Sequence, residues 1–402
     1  MGAEKPSVFM FMPYIPFPVD RGTYQRVFHL FVELSKSFNI DLVCLQEDAN
    51  RSMEPFKPLT NRCLAIPFEN APWQRLIPNR LLNPLPTTVQ HWQAEGVLDA
   101  LQEFVADRVY ERVIFIDLVL WPYIRKLFPN HPCCIMDRSR VDWLFQSEEL
   151  NTLTLNWRER LLRKENLWKI ARLERSAYKK LAGMIVCGWD DRNFLNSKLG
   201  EADKVFVLAN GYNDTFFNVE EHPRNLTSDP SILFCGALDY SPNVDAIDWF
   251  VDQIWPSVHK QMPQARWKII GKSPDARSKR WAKSAGVEFI GEVDDVRPYY
   301  QSSWLQVVPL RIGGGTRLKI VESLGMCCPV ISTTLGAQGL DLTDGKDIVL
   351  ADTEAAFAEA IVRILKDPAK RSSMEQSGLV AVRENYRWEQ LGEKLNEYLL
   401  KL

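Results

Sequence analysis

Arg317, Lys319 and Glu322 follow directly on Gly313, Gly314, Gly315 and Thr316, a grouping of residue types suited to holding an anion. Three glycines let backbone approach a ligand closely, and Thr316 carries a hydroxyl of the kind that caps a helix. A helix beginning there points N–H groups and the positive end of its dipole at whatever fills the loop, and Arg317 and Lys319 stand on its first turn. A phosphate is the natural guest for that convergence. A glycine run before a helix is also, in many proteins, only a tight strand-to-helix turn, and Lys319 stands three residues before Glu322, where a surface ion pair can form. A nucleotide P-loop is excluded because GxxxxGK[ST] is absent: the only GKS, Gly271 to Ser273, has Arg266 where the first glycine belongs. The dinucleotide signature G-x-G-x-x-G is missing from the first strand-to-helix turn as well.

The elements that must position these residues can be read on either side of them. Trp304 to Leu310 is a short apolar run and Cys328 to Thr333 is rich in β-branched residues, so both read as buried strands flanking the helix. The stretch GGGTRLKIVESLG followed by PVIST resembles the C-terminal signature of the retaining, GT-B-fold glycosyltransferases of the group 1 kind (family 4-like), in the GGGTRLK variant. The resemblance implies a nucleotide-diphospho-sugar donor and a transfer with retention at the anomeric carbon. It puts Glu322 on the donor's ribose hydroxyls, and Arg317 and Lys319 on its diphosphate. Many relatives carry a second glutamate eight positions before Glu322, where this chain has Gly314. The loop after the strand ending at Gly236 also lacks the diphosphate-binding arginine and lysine common among relatives, which throws more weight on Arg317 and Lys319.

The remaining expected site residues come from the same resemblance. Gly22, in the loop PYIPFPVDRGTYQR after the strand Ser7 to Met12, is expected over the donor diphosphate, with Arg26 on the acceptor side. Gly236 and Val293 are expected to meet the donor, the latter in a turn that in relatives contacts the base through backbone. Asp117 and Asp137 stand just past predicted strands, where open α/β sheets hold ligands. Relatives carry a donor-touching histidine near Asp117, so its location is read as catalytic and Asp137 as acceptor-side. Either aspartate could instead cap a helix. No cofactor and no metal are expected, because Arg317, Lys319 and the helix N-terminus would stabilise the charge on the leaving diphosphate, and no protein base is obligatory, because the leaving phosphate itself could take the acceptor's proton.

At 402 residues the chain is long enough for two or three domains, and 46% hydrophobic with 25% charged residues is ordinary for a globular protein. With 49 basic against 51 acidic residues, nothing calls for nucleic acid. Eight cysteines, none in CxxC spacing, read as reduced thiols. No signal peptide and no apolar window long enough to span a bilayer is legible, so a cytoplasmic protein is expected, with peripheral contact to the inner face of the membrane left open.

Two segments bear on that contact. The segment 71–92 holds four prolines and two tryptophans and reads as an irregular loop, acceptor-side, membrane-facing or simply packed on the core. Residues 157–180, WRERLLRKENLWKIARLERSAYKK, read as one helix with nine basic and three acidic residues, suited either to an anionic membrane or to covering the sheet with a solvated basic face.

Alternating strands and helices without hairpin signals predict an α/β protein of GT-B type: two doubly wound parallel-sheet, Rossmann-like domains facing a central cleft. The expected domains are 1–209 on the acceptor side, 210–385 for the nucleotide-sugar, and a terminal helix 386–402 crossing back. A helix over Val244 to His259 and a polar linker over Glu220 to Pro230 are read in the second half. The expected partners are a nucleotide-sugar and a polysaccharide, lipid-linked or other hydroxyl acceptor, in cell-surface polysaccharide or glycoconjugate synthesis. Two other classes stay open: a nucleotide-sugar 2-epimerase, and a non-catalytic sugar-nucleotide-binding protein.

Overall fold

The computed structural model describes residues 5–70, 80, 82–152, 155–200, 203–272, 277–312 and 317–402. The chain divides into two compact units, 1–208 with 391–402 and 209–390. Each has its own buried apolar cluster, so each can be argued as a separate core.

The first unit is built on a seven-stranded sheet of β1 (Ser7–Met12), β2 (Asn39–Gln46), β3 (Arg62–Pro67), β4 (Arg112–Ile116), β5 (Cys134–Asp137), β6 (Gly183–Val186) and β7 (Val205–Val207), in the order β3-β2-β1-β4-β5-β6-β7. Every pairing is parallel. The apolar runs fit this: β1 and β2 are buried along almost their whole length, as strands covered on both faces must be. Residues 391–402 close the unit. There Tyr398 stacks on Phe206 at 4.3 Å between ring centroids, and Gly392 lies so near Glu33 that a Cβ would come within 2.3 Å of it.

The second unit repeats the plan with β8 (Ser231–Cys235), β9 (Arg266–Ile270), β10 (Val287–Gly291), β11 (Leu305–Val308), β12 (Val330–Ser332) and β13 (Val349–Leu350), in the order β10-β9-β8-β11-β12-β13, again all parallel. In both sheets the winding reverses beside the first strand, between β1 and β4 and between β8 and β11. Side chains just beyond those strand ends border the crevice that such a reversal opens.

Several expectations need correction. The helix expected over Val244 to His259 begins three residues earlier, at Ser241, which puts Asn243 in its first turn instead of in a loop. It also passes through a π-turn at Phe250–Ile254. Pro256 follows in the next turn, and its ring, which cannot donate and would crowd the carbonyl four residues back, accounts for the local loosening. The polar stretch Glu220 to Pro230 is no free linker: Arg224 Nη2 donates to the Ser303 carbonyl at 2.6 Å, and Asn225 N to the Gln301 carbonyl at 3.0 Å. Of the proline-rich segment, 71–79 and 81 lie outside the described residues, while Thr87–Gln90 forms a short helix with Pro86 at its N-cap position. A helix over Asp142–Thr152 was hidden in the sequence by the charged run DRSRVDW, residues 137–143, which extends into its first turn. All eight cysteines are free.

Candidate functional site

In the second unit the site is built where β8 ends and the helix Leu318–Gly325 begins. Gly313, Gly314, Gly315 and Thr316 lie outside the described residues. The N-cap position, expected at Thr316, belongs to Arg317, whose backbone is extended (φ −92°, ψ 100°) and whose side chain makes no capping bond. No carboxylate lies in the first turn, so the positive end of the helix keeps its field.

Lys319, the second residue of that helix, points across the sheet end. Its Nζ donates to Asn243 Oδ1 at 2.9 Å and lies 4.4 Å from the centroid of the Phe234 ring. Asn243 is oriented in turn by donating through Nδ2 to the Ala237 carbonyl at 2.7 Å. Gly236 makes room for the ammonium: a Cβ there would meet Lys319 Nζ at 2.7 Å and Asn243 Nδ2 at 2.9 Å. Burial pulls the Lys319 pKa down to about 8, Arg317 adds to the fall, and Glu322 opposes it. Lys319 therefore stays mostly protonated at neutral pH, and a bound anion would raise its pKa again.

Glu322 is the fifth residue of the helix and half-buried. Besides acting on Lys319, its charge helps to push up the Cys235 thiol, to about 12, where burial is the larger cause. The carboxylate thus belongs to the Lys319 face of the helix. Ahead of the glycine run, Arg311 is clamped by Asp245 through two bonds, of 2.7 and 3.1 Å. Val293 is half-buried and packs against the core of the unit.

In the first unit the corresponding crevice collects charge. Asp117, directly after β4, sits in the left-handed half of backbone space (φ 72°, ψ 155°), unusual for a residue with a Cβ. It is held there by three interactions: its N donates to the Asp137 carbonyl at 2.9 Å, its Oδ1 accepts from Leu118 N at 2.6 Å, and Arg138 lies 3.8 Å away. Burial, then the Asp142 charge, raise its pKa to about 6, against the pull of Arg138. Arg138 is fully buried, bonded to the equally buried Glu174 and, at 3.3 Å, to Asp142. Asp117 does serve as a cap, for the single 3-10 turn Leu118–Leu120, while 29% of its side chain remains exposed.

Arg26 and Asp137, expected on the acceptor side, form a strut instead. Arg26 is completely buried, donating to Asp137 Oδ1 at 2.8 Å and to the Leu208 carbonyl at 2.9 Å, and Asp137 is only 5% exposed. A guanidinium enclosed in this way ties the first helix to the sheet and is not presented to an acceptor. Gly22 is the first residue of the helix Gly22–Ser35, with Arg21 at its N-cap position. Beside it opens a pocket of about 380 Å³ bordered by Tyr14, Arg21, Tyr24, Gln46, Glu47 and Arg51, among others. Arg51 lies 4.0 Å over the Tyr24 ring, and the Tyr14 hydroxyl is buried with no hydrogen-bond partner among the described residues.

Sequence reasoning missed Asn243, Phe234, Asp245 and Arg138 as parts of these sites. Their signal was weak: each is one residue in a strand, a helix or the turn after a strand, and only the crossing of elements brings it to a lysine, an arginine or an aspartate.

The two sheets and their winding define a protein of the GT-B fold, as comparison with solved structures shows. The sucrose-phosphate synthase of Thermosynechococcus elongatus is similar at a TM-score of 0.70 and 17% identity, over 98% of each chain. Anabaena HepE in complex with UDP-glucose is similar at a TM-score of 0.67 and 12% identity, over 98% of this chain and 100% of that one.

Residues 229–367 match the family model of the group 1 glycosyl transferases. Two curated relatives match more locally. A protein from Klebsiella pneumoniae, described as an uncharacterized 44.6 kDa protein in the cps region, is 22% identical over 39% of this chain and 42% of its own. The GDP-mannose-dependent monoacylated alpha-(1-6)-phosphatidylinositol monomannoside mannosyltransferase of Corynebacterium glutamicum is 28% identical over 36% and 41%. The match thus spans less than half the length of either relative. The family match thus rests on residues 229–367, in the second unit, while the solved structures share the fold of the whole chain.

Proposed function

We propose that the protein is a retaining glycosyltransferase that moves a sugar from a nucleotide-diphospho-sugar to an acceptor hydroxyl. The observation that carries this reading is the Lys319 ammonium, held by Asn243 over Gly236 at the switch point of the second sheet, beside a helix N-terminus free of carboxylates. An ammonium and a helix N-terminus aimed at one spot suit a diphosphate, and most of all the charge that grows on it as it leaves. Arg317, two residues before at the N-cap position, adds a second cation. Glu322, further along the same helix, is assigned to the ribose, where a carboxylate can accept from both hydroxyls. Gly313, Gly314, Gly315 and Thr316 are assigned to the donor as well, as is the backbone around Gly22 and Val293.

In the reaction the bond from the anomeric carbon to the diphosphate oxygen breaks and one to the acceptor oxygen forms on the same face. The acceptor's proton passes to the departing phosphate oxygen. Lys319 and Arg317 stabilise that oxygen's charge, and no metal ion is needed in this scheme. Asp117, partly exposed and raised to about 6, is assigned to the reacting end of the acceptor side, with the pocket at Tyr14 and Tyr24 for acceptor groups beyond it.

The family model supports a transferase, and the nucleotide sugars in the relatives' descriptions, GDP-mannose in one and bound UDP-glucose in the other, support the nucleotide-sugar class. Synthesis of a polysaccharide or another glycoconjugate is the setting we propose. The test is incubation with a panel of nucleotide sugars. Slow release of nucleoside diphosphate from one of them, accelerated by an acceptor, is the expected result. Interconversion of two nucleotide sugars, or binding with no turnover under any acceptor, would overturn it.

A further inference from the structure

The helix Trp157–Tyr178 carries a surface that neither the donor nor the acceptor reading uses. Its start is fixed by a capping box, in which Asn156 Oδ1 accepts from Glu159 N at 2.9 Å and Glu159 Oε2 accepts from Asn156 N at 3.2 Å. Its later turns are packed down: Ile170, Ala171, Glu174 and Ala177 are buried, and Asn166 Oδ1 accepts from Thr87 N at 2.8 Å. Its first turns are not, since every residue from 157 to 162 is exposed. The helix is therefore anchored at one end and stands clear at the other.

Projected at 3.6 residues per turn, Trp157, Leu161, Lys164, Trp168, Arg172, Arg175 and Lys179 fall within a sector of about 80°. All seven are exposed, Trp157 at 72%, Leu161 at 61% and Trp168 at 60%. The stripe runs about 33 Å along the helix. No carboxylate lies in it. Glu165, just outside, is already engaged by Arg80 and Lys169, Glu174 is buried against Arg138, and Glu159 faces away in the capping box. Among the described residues Lys164, Arg172, Arg175 and Lys179 form no ion pair; Arg172 lies 5.8 Å from the Trp168 ring and Arg175 4.6 Å from that of Trp143.

A merely solvated basic face accounts for the cations and leaves two indoles and a leucine in water without return. A single-stranded nucleic acid would want aromatic platforms in a groove, whereas this stripe is straight and convex. Indole rings that settle at a bilayer interface, alternating with cations that meet anionic headgroups in one plane, match both halves of the pattern.

We propose that this face is a docking surface for an anionic lipid bilayer, with the helix lying along the headgroup plane and Trp157, Leu161 and Trp168 inserted. The proposal does not depend on which sugar is moved or whether one is. Each cation near a charged surface strengthens binding roughly fivefold, so K164Q/R172Q/R175Q should weaken it roughly a hundredfold. The measurement is co-sedimentation of the full chain with vesicles of phosphatidylcholine alone and of phosphatidylcholine with phosphatidylglycerol, at low and high salt.

Sedimentation with the anionic vesicles only, release by salt and a blue shift of tryptophan emission on binding are expected. W157A/W168A should lose most of that shift while keeping its charge, and thermal melts should show both variants folded. Donor hydrolysis by the same variants should be unchanged, which separates failure here from failure of the transferase reading. Absence of sedimentation with anionic vesicles at low salt would overturn the proposal. So would variants that bind like wild type, or equal binding to duplex DNA without a blue shift.

Discussion

Replacing Lys319 by Met tests the site where two opposed effects can be separated. Partial burial lowers the lysine pKa from 10.5 to about 8, which corresponds to a cost on the order of 2–3 kcal/mol for keeping the charge, after discounting the part of the side chain that reaches solvent. The charge-assisted bond to Asn243 returns about 1.5–3 kcal/mol. The two nearly cancel, so Lys319→Met should move Tm by no more than about 4 °C. Binding of a nucleoside diphosphate should nevertheless weaken by roughly 2–3 kcal/mol, because the substitution takes a full positive charge away from the phosphate oxygens.

The pH dependence has a defined sign. Between about 8 and 10.5 the unfolded chain binds the lysine proton and the folded chain does not, so native stability rises with pH across that window in wild type and not in the variant. A bound diphosphate raises the lysine pKa, so binding above pH 8 takes up a proton and affinity falls by up to about tenfold per pH unit. Calorimetry in two buffers of different ionisation enthalpy at about pH 7 and 9 reads both affinity and proton uptake. Equal affinity of wild type and variant, or no proton uptake at the higher pH, would refute the assignment of Lys319 to the diphosphate.

Three further outcomes follow from the same geometry. Glu322→Gln should weaken a ribonucleoside diphosphate by roughly 1.5–3 kcal/mol and leave pyrophosphate binding unchanged, and titration of both ligands separates a ribose contact from a plain helix ion pair. Asp117 has its folded pKa raised to about 6, so wild type should lose about 2 kcal/mol of stability as pH rises from about 4 to 6, and Asp117→Asn should lack that slope in urea melts. Arg138→Met leaves Glu174 charged and fully buried, so a loss of roughly 3–5 kcal/mol is expected by denaturant titration, with a smaller loss in the double variant Arg138→Met/Glu174→Leu.

The sequence by itself determined the alternation of elements and therefore the fold class. Strands such as Ser7–Met12 and Arg112–Ile116 lie where their apolar runs put them, because a parallel strand covered on both faces must be apolar nearly throughout. It also marked the helix bearing Lys319 and Glu322, since glycines, cations and a β-branched strand stand there close together in the chain. What it left open were relations between distant elements.

Arg26 was expected on the acceptor side. It proved to be a buried strut, because Asp137 and the Leu208 carbonyl, 111 and 182 residues away, converge on it. Asn243 read as a loop residue and became the partner that fixes Lys319, 76 positions on. Arg138, in the charged stretch just after β5, is fully buried because Glu174, on a helix 36 residues further on, meets it. Local pattern follows from which residues must leave water, which each segment states for itself, whereas the fate of a charge depends on what the fold brings against it, and that is decided only when the strands have found their order.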